Sequence, residues 1–391
     1  MQPGRNSGRS DVLNLIEMSR SYERTKQQTT SNGARRVATV AALALAVLLT
    51  AIAAQPAAAK TPEDFFGIFA EGPSKKDYKG MGKAGFGTNR VPVNWAAIQS
   101  SRKAPYDWST SDQGVYSTAK NGMRPTLVVY GTPKFVHKDT TKGLYGPKSK
   151  QDLKAWRKFS EAIARRYSPN GDYFDAVPEI DHLPVKTYIA WNEQNSKNNW
   201  VPKPDPKGYA RLVENFDKGI SKVDPKAEIV LGGMYGYPRD PASMKATKFL
   251  KKMYKVRGIE KHFDAINAHP YAADNGEIKK RVNELRSVAK RSGDGNVGLL
   301  VGELGWASKG PARSDLVVGK KGQANRLRDG LKLLVHKRNK WNVIGAYVYT
   351  WRDFPAGQLA CNWCPWAGLV TKKSKPKPAL KAVKQVIRKS R

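Results

Sequence analysis

Short apolar segments recur along the chain, and segments with helical spacing separate them. The apolar segments are rich in β-branched and aromatic residues, which is typical of strands. Eight are candidate strands: Phe65–Ala70, Gly85–Val91, Pro125–Tyr130, Val185–Trp191, Glu228–Gly233, Phe263–His269, Gly298–Leu304 and Ile344–Trp351. Apolar residues three or four positions apart mark the clearest helix candidates: Lys150–Tyr167, Lys207–Val223, Pro241–Val256, Glu277–Arg291, Gly319–Arg338 and Pro378–Arg388.

This alternation of strands and helices predicts an α/β fold with a parallel sheet. Eight repeats without a long linker favour a single closed (β/α)8 TIM barrel over residues 60–391. An open, doubly wound sheet is the alternative. The segment FGIFAEGPSKKD after the first candidate strand contains neither G-x-G-x-x-G nor a G-K-[S/T] ending, which argues against the nucleotide-binding form of that alternative.

Residues 1–59 have a different character from the rest of the chain. A polar region precedes the uncharged apolar segment Val37–Ala54, which has two arginines before it and an alanine-rich stretch after it. This pattern is typical of a signal peptide, and it predicts cleavage before Lys60 and a secreted, extracellular barrel. The apolar segment is also long enough to span a bilayer, so a single-pass anchor with the barrel outside is the alternative.

The charge balance is strongly basic. The chain has 69 Lys and Arg against 33 Asp and Glu, a net charge of +36, which predicts adhesion to polyanions at low salt. The positive charges are spread over the whole chain, and no zinc-finger spacing or basic helix with heptads is present. We interpret the charge as a surface property and predict no specific nucleic-acid partner.

Two glutamates stand at the ends of buried-looking candidate strands. Glu193 directly follows the fourth candidate strand, and Glu303 lies at the end of the seventh. A carboxylate at such a position is costly unless it is paired or used in catalysis. In a TIM barrel the carboxyl ends of the strands meet at one mouth, where the active site lies. Two facing carboxylates suit glycoside cleavage, in which one protonates the leaving oxygen and the other attacks the sugar or activates water.

Other strand ends supply side chains that a sugar site needs. Arg90 could hold one carboxylate ionised, and Tyr271 could hydrogen-bond it. Asn192 could bind the 2-hydroxyl group of the sugar, and Trp351 could form a stacking floor. His269, with Tyr271 two positions later, is more consistent with a site than with the core. Five further tryptophans are expected near the same mouth: Trp191, Trp200, Trp306, Trp363 and Trp366.

The motifs AWNEQN, NAHPY, VGELGW and YTWRD resemble the signatures of clan A glycoside hydrolases, in particular the cellulase-like and β-xylosidase-like branches. The resemblance covers essentially all of residues 60–391. It implies that Glu193 is the acid/base and Glu303 the nucleophile of a retaining enzyme. The clan's Arg, His-x-Tyr and Trp positions fall on Arg90, His269, Tyr271 and Trp351.

The chain departs from the clan's pattern at two places, and the second of them bears on the substrate. Gln194 replaces the usual proline of the motif after the fourth strand, and the segment VYGTP after the third strand lacks the histidine that cellulase-like members often carry. The Gly-Thr-Pro form resembles the β-xylosidase-like branch. The sugar and the linkage stay open, and we expect the long loops Lys134–Ser149, Ser168–Pro184 and Trp351–Thr371 to decide them.

The two cysteines, Cys361 and Cys364, form a C-x-x-C motif after the last candidate strand. In an exported chain with no other cysteine, this spacing predicts a short disulfide that braces Trp363 and Trp366. Reduced thiols without a role are the alternative. The remaining histidines show no metal-binding spacing, so we predict no catalytic metal and no cofactor.

The sequence therefore predicts a secreted retaining glycosidase that cleaves a β-linked oligo- or polysaccharide by double displacement. The alternative is a barrel on the cell surface that binds glycans without cleaving them, with its basic surface holding an anionic cell-wall polymer. A membrane contact is expected only if the N-terminal segment stays uncleaved. A nucleic-acid-binding surface protein is a third hypothesis, supported by the net charge alone.

Overall fold

The computed structural model describes residues 60–238, 240–311, 314–358 and 361–391. The predicted signal peptide or anchor, and with it the N-terminal region of residues 1–59, lies outside these described residues. Within them, no helix combines the length and the apolar character needed to cross a bilayer.

The strands form one closed parallel sheet. They are β1 (Phe66–Phe69), β2 (Thr88–Asn94), β3 (Arg124–Tyr130), β4 (Thr187–Ala190), β5 (Glu228–Leu231), β6 (Met234–Tyr235), β7 (Ala265–His269), β8 (Gly298–Leu304) and β9 (Val343–Tyr349). Their order is β5-β4-β3-β2-β1-β9-β8-β7-β6. The register pair Val230 and Ala265 joins β5 to β7 and closes the sheet. The prediction of a TIM barrel is confirmed, and the open sheet is wrong because this pairing leaves no free edge between β5 and β7.

Helices surround the barrel. They are α1 (Lys75–Lys83), α2 (Trp95–Ile98), α3 (Ser109–Ala119), α4 (Lys150–Tyr167), α5 (Pro206–Ile220), α6 (Ala246–Met253), α7 (Asn275–Arg291), α8 (Gly319–His336), α9 (Arg338–Trp341) and α10 (Pro378–Ser390), with 3-10 turns at Ile259–His262 and Cys364–Trp366. All six predicted helices are present. The pattern missed α1 and α3, because α3 is rich in small polar residues and buries mainly Ser, Gly and Thr beside Val115 and Ala119.

Side chains fill the interior of the barrel. A layer of buried residues crosses it: Val128, Ile189, Val230, Ala265, Leu300 and Tyr347. The Tyr347 hydroxyl lies 2.7 Å from Thr126 Oγ1 and 3.2 Å from Thr88 Oγ1, so its polar atom is satisfied inside the core. The ring needs a glycine opposite it, because a Cβ on Gly67 would lie 2.2 Å from Tyr347 Cδ1. The barrel is therefore a packed core, and a ligand can enter only at its ends.

The fifth strand position is split into β5 and β6 at Gly232 and Gly233. A Cβ on Gly233 would lie 1.9 Å from Nε2 of His269, and a Cβ on Gly232 would lie 2.2 Å from Oε1 of Gln194. The two glycines let the neighbouring strand ends approach closely, which sets the geometry of the mouth.

Candidate active site

A cleft of about 1520 Å³ opens at the carboxyl ends of the strands. This volume exceeds the roughly 300–1,000 Å³ typical of small-molecule pockets, and it has room for an oligomer. The carboxylates and aromatic rings in its wall include Glu71, Glu193, Glu303, Phe69, Tyr130, Tyr235, Tyr271, Tyr349 and Trp363. Both predicted catalytic glutamates therefore face the same cavity.

The backbone around Glu193 is held in an unusual conformation. The backbone of Trp191 and Glu193 has positive φ angles of 76° and 46°, in the left-handed region that residues other than glycine rarely adopt. The Glu193 amide donates to the Gly233 carbonyl at 2.8 Å. The next residue, Gln194, is fully buried, and its amide nitrogen donates to the Gly232 carbonyl at 2.9 Å. The glutamine that replaces the clan's proline thus ties the Glu193 loop to the break in the fifth strand.

Glu303 is buried, and its two carboxylate oxygens have separate donors. Arg90 Nη1 donates to Oε1 at 2.6 Å, and the Tyr271 hydroxyl donates to Oε2 in a short hydrogen bond. Burial opposes ionisation of Glu303. The charges of His269 and Arg90 and the hydrogen bonds from Tyr271 and Arg90 outweigh it and hold the pKa of Glu303 below its ordinary value. Glu303 is therefore poised as a carboxylate.

His269 lies between the two glutamates and is fully buried. Its Nδ1 atom is 3.0 Å from Glu193 Oε1 and 3.5 Å from Glu303 Oε2. One oxygen of each carboxylate and a ring nitrogen of His269 all lie within 4.8 Å of one another. The second oxygen of Glu193 is 3.4 Å from Asn199 Nδ2 and reaches the cleft, since a quarter of the Glu193 side chain is exposed. The two carboxyl groups thus differ in environment, one buried and charge-paired and the other partly solvated.

Arg90 connects the site residues to one another. Besides Glu303, it donates to the Gly302 carbonyl at 2.9 Å and to Asn192 Oδ1 at 3.3 Å. Its guanidinium lies 5.0 Å from the centroid of the Phe69 ring. Glu193, Glu303, Arg90, Asn192, His269 and Tyr271 were all predicted for the mouth, and the structure brings these six together.

The expected stacking position of Trp351 is wrong. Its indole nitrogen donates to Oδ1 of the buried Asp77 at 3.0 Å, and its ring packs so closely on α1 that a Cβ on Gly80 would lie 2.5 Å from Cζ2. The aromatic residue of the last strand that lines the cleft is Tyr349. It stacks on Phe69, its register partner on β1, with ring centroids 5.8 Å apart. Strand β9 ends at Tyr349, and although the Trp351 amide still donates to the Phe69 carbonyl at 2.9 Å, the direction of the Trp351 ring is set by its contacts with Asp77 and α1.

The other tryptophans divide into two groups. Trp191, Trp200 and Trp306 are fully buried and belong to the core, and none of the three is among the residues that line the cleft. Trp363 lines the cleft, and its ring centroid lies 4.9 Å from that of Tyr271. Trp366 is not among the residues that line the cleft.

Cys361 and Cys364 form a disulfide, and both border the cleft. Trp363 lies inside the four-residue loop that they close, so the disulfide restricts the segment that presents this ring. This arrangement is consistent with the prediction that the disulfide braces Trp363.

Three loops were expected to determine the substrate specificity. One of them, Ser168–Pro184, lies at the amino-terminal end of the strands, opposite the cleft. It joins the end of α4 to the start of β4 and contributes no residue to the cleft. The loop 134–149 contributes Leu144, and the loop after β9 contributes Asn362 and Trp363 with the two cysteines. A segment that sequence reasoning missed, between β6 and α6, adds Tyr237, Pro238, Asp240 and Ser243.

Sequence reasoning also missed a third carboxylate at the centre of the cleft. Glu71 follows β1 by two positions and lines the cavity. The signal was the one that identified Glu193 and Glu303, an acidic residue directly after a buried strand. Burial, together with the negative charge of Glu303, raises the pKa of Glu71 to about 7, although Arg90 acts in the opposite direction.

Glu193, His269 and Glu303 are also the one group of metal-ligating side chains with suitable spacing among the described residues. Both oxygens of Glu303 already accept hydrogen bonds, one of them from a cationic guanidinium. These side chains are thus already engaged in hydrogen bonds and an ion pair. The absence of a catalytic metal stays a prediction.

Comparison with known proteins gives the same fold. No protein-family model matches the sequence, and no curated protein sequence matches it. Solved structures of glycoside hydrolases do match. A family 39 glycoside hydrolase from Bacteroides cellulosilyticus WH2 superposes with a TM-score of 0.59 at 19% identity, covering 84% of this chain and 64% of that one.

A monomeric β-xylosidase from Caulobacter crescentus CB15 gives 0.58 at 19% identity, covering 84% of this chain and 69% of that one. A glucosidase from Croceicoccus marinus gives 0.61 at 12% identity, with 84% and 68% covered. The chain thus spans about two thirds of the length of these proteins. The predicted resemblance to clan A glycoside hydrolases is confirmed at the level of the fold.

Proposed function

We propose that this protein is a retaining glycoside hydrolase that acts on a β-linked oligo- or polysaccharide. The observation that carries the proposal is the closeness of the two carboxyl groups, since one oxygen of Glu193 lies no more than 4.8 Å from one oxygen of Glu303. Retaining glycosidases have their two carboxyl groups about 5–5.5 Å apart, whereas inverting enzymes need about 6.5–9.5 Å to admit a water molecule. The fold of the barrel supports the same reaction class.

In the first step Glu303 acts as the nucleophile. Its carboxylate oxygen forms a bond to the anomeric carbon while the bond from that carbon to the leaving oxygen breaks. Glu193 transfers its proton to the leaving oxygen, which departs as an alcohol. The lowered pKa of Glu303 supports this assignment, because a nucleophilic carboxylate must be ionised at the working pH.

In the second step Glu193 acts as a base. It takes a proton from water, the water oxygen bonds to the anomeric carbon, and the bond from that carbon to Glu303 breaks. The partial exposure of Glu193 supports this role, because water and the leaving alcohol must both reach it. His269, 3.0 Å from Glu193 Oε1, positions the carboxyl group toward the cleft.

Asn192 and the aromatic wall are proposed to bind the sugar. Asn192 accepts a hydrogen bond from Arg90 and borders the cleft, so its amide nitrogen, which has no partner among the described residues, can donate to a sugar hydroxyl next to the reacting carbon. Tyr349 and Trp363 offer ring surfaces that match the apolar faces of pyranose rings.

The test is hydrolysis of a panel of aryl β-glycosides and polysaccharides by the purified protein and by two variants. Glu303→Gln should lower kcat by at least about 10⁴-fold, since it removes the nucleophile and keeps the shape of the side chain. Glu193→Ala should keep slow cleavage of substrates with good leaving groups, and azide should accelerate that cleavage and yield a β-glycosyl azide. An α-glycosyl azide, or full activity of Glu303→Gln, would contradict the mechanism.

The same panel separates the two functional classes. Glycan binding without turnover by the wild type would favour the binding barrel instead. Secretion is also proposed, and the disulfide between Cys361 and Cys364 supports it because such bonds persist in oxidising compartments. Detection of the protein, beginning at Lys60, in culture medium tests this; retention of the uncleaved chain in membranes would support the anchor.

A further inference from the structure

Glu71 differs from Glu193 and Glu303, the two predicted catalytic glutamates of the cleft, in having no partner among the described residues. Glu193 contacts His269, and Glu303 accepts from Arg90. Over the part of the chain that the structure describes, the Glu71 carboxyl group makes no hydrogen bond and no ion pair within 4.0 Å. Glu71 is half-buried, so its carboxyl group is only partly solvated and stays accessible to hydrogen-bond donors of a ligand. Glu71 lines the cleft, so the group that satisfies it is expected to come from the molecule that occupies the cleft.

The position of Glu71 places that molecule at the reacting centre. Glu71 is close enough to Glu303 for the two negative charges to affect each other. Its charge also raises the pKa of two further residues of the cleft wall, Tyr130 and Tyr349, for both of which burial is the larger cause. Glu71 follows Phe69, the register partner of Tyr349, by two positions, and it lines the same cleft as Glu303. A sugar that lies against Glu303 and the Tyr349 ring is therefore expected within reach of Glu71.

The charges around Glu71 disfavour one class of sugar, although Lys75, Lys245 and Arg281 line the wider cleft. Three carboxyl groups, those of Glu71, Glu193 and Glu303, surround the central cavity. The positive charge that acts on Glu71 comes from Arg90, and Arg90 is already committed to Glu303. A carboxylate on the bound sugar would meet like charges in a poorly solvated space, where such repulsion is stronger than in water.

We propose that Glu71 is a specificity-determining residue that accepts hydrogen bonds from hydroxyl groups of the sugar beside Glu303 and selects sugars without a carboxylate. The inference rests on the proposed function, since it requires a glycan in the cleft. The proposal assigns different ligands to the surface and to the cleft. The basic surface can hold an anionic polymer, but the sugar unit at the reacting centre is neutral.

The experiment compares two ligands that differ only at C6. Phenyl 1-thio-β-D-glucoside and phenyl 1-thio-β-D-glucuronide resist hydrolysis, so their dissociation constants can be measured by calorimetry with the wild-type protein and Glu71→Gln. At pH 8, where Glu71 is ionised, the wild type should prefer the neutral ligand by at least about tenfold, as expected for one extra like charge nearby. Glu71→Gln keeps the shape of the side chain and removes its charge, and the preference should fall below about threefold.

Glu228→Gln is the matched control. Glu228 is a barrel glutamate whose pKa burial also raises, but it begins β5 at the opposite end from the cleft. The control should keep the wild-type preference. The proposal is overturned if the wild type binds the glucuronide as well as the glucoside, if Glu71→Gln retains the full preference, or if neither ligand binds.

The turnover panel reports on the proposed function separately. Hydrolysis that depends on Glu303, with no preference between the two thioglycosides, would remove the role of Glu71 and leave the glycosidase. A binding preference that depends on Glu71, without any turnover, would support the role of Glu71 and contradict the proposed glycosidase activity.

Discussion

Arg90 Nη1 lies 2.6 Å from Glu303 Oε1, although 213 residues separate the two along the chain. The pair is buried, with 4% and 10% of the two side chains exposed. Burying two charges is costly unless they compensate each other, and removal of one partner leaves the other uncompensated. The arrangement is therefore expected to matter for both the ionisation of Glu303 and the stability of the barrel.

Arg90→Met is expected to raise the pKa of Glu303, because Arg90 is one of the causes that lower it. The acidic limb of the kcat/KM profile should then move to higher pH, and kcat should fall by at least about 100-fold. Loss of one partner of a buried pair should also cost about 3–5 kcal/mol of stability. The pH–rate profile and a urea melt measure the two effects.

Arg102→Met is the control for this variant. Arg102 pairs with Asp152 at a site away from the cleft, where 27% of the arginine side chain is exposed. It should leave the pH profile unchanged and destabilise the protein less. An unshifted acidic limb in Arg90→Met would contradict the proposed role of the arginine.

Tyr271→Phe removes the hydroxyl that donates to Glu303 Oε2. The hydrogen bond stabilises the ionised form of Glu303, so its loss should raise the pKa of Glu303 and lower kcat by about 10–100-fold. Tyr254→Phe removes a comparable hydroxyl, which donates to Asp294 at 2.8 Å outside the cleft, and should leave kcat unchanged. Steady-state kinetics across pH with both variants decides; equal kcat values in the two variants would count against the assignment.

Tyr349, and not Trp351, should show the effect on substrate binding that the sequence predicts for Trp351. Trp351→Phe leaves the buried Asp77 without the indole donor and should cost about 1–3 kcal/mol of stability with KM nearly unchanged. Tyr349→Ala removes a ring from the cleft wall and should raise KM several-fold. Thermal melts and KM values measured side by side test the pair. A large KM increase in Trp351→Phe with unchanged stability would restore the original stacking prediction.

Glu71 should also make stability depend on pH. Its pKa is about 7 in the folded chain against 4.5 for an ordinary glutamate, so the folded protein binds its proton more tightly than the unfolded chain does. The resulting stabilisation is complete below about pH 4.5 and is lost as the pH rises toward 7, by up to about 3 kcal/mol. Glu71→Gln cannot titrate and should flatten this part of the profile. Urea melts between pH 4.5 and 8 measure it, and parallel profiles for wild type and variant would refute the shift.

Local patterns were sufficient for the barrel and for much of the site. Strands that alternate with helices can bury both faces of a parallel sheet in few ways, and Glu193 and Glu303 interrupt apolar segments where a charge is costly. Arg90, His269 and Tyr271 followed from the rule that the carboxyl ends of barrel strands share one mouth. These residues could be identified because each lies at the end of a strand, and the sequence pattern shows where a strand ends.

Only the tertiary structure decided which side chains face the cleft where a strand stops. Trp351 lies two residues beyond the end of β9, where its amide still donates to the Phe69 carbonyl but its indole turns toward Asp77. Glu71 meets no hydrogen-bond donor among the residues that the structure describes. Alternation along a strand fixes the direction of a side chain only within the regular strand. Beyond that point the direction depends on contacts between segments far apart in the chain, and the sequence pattern does not carry that information.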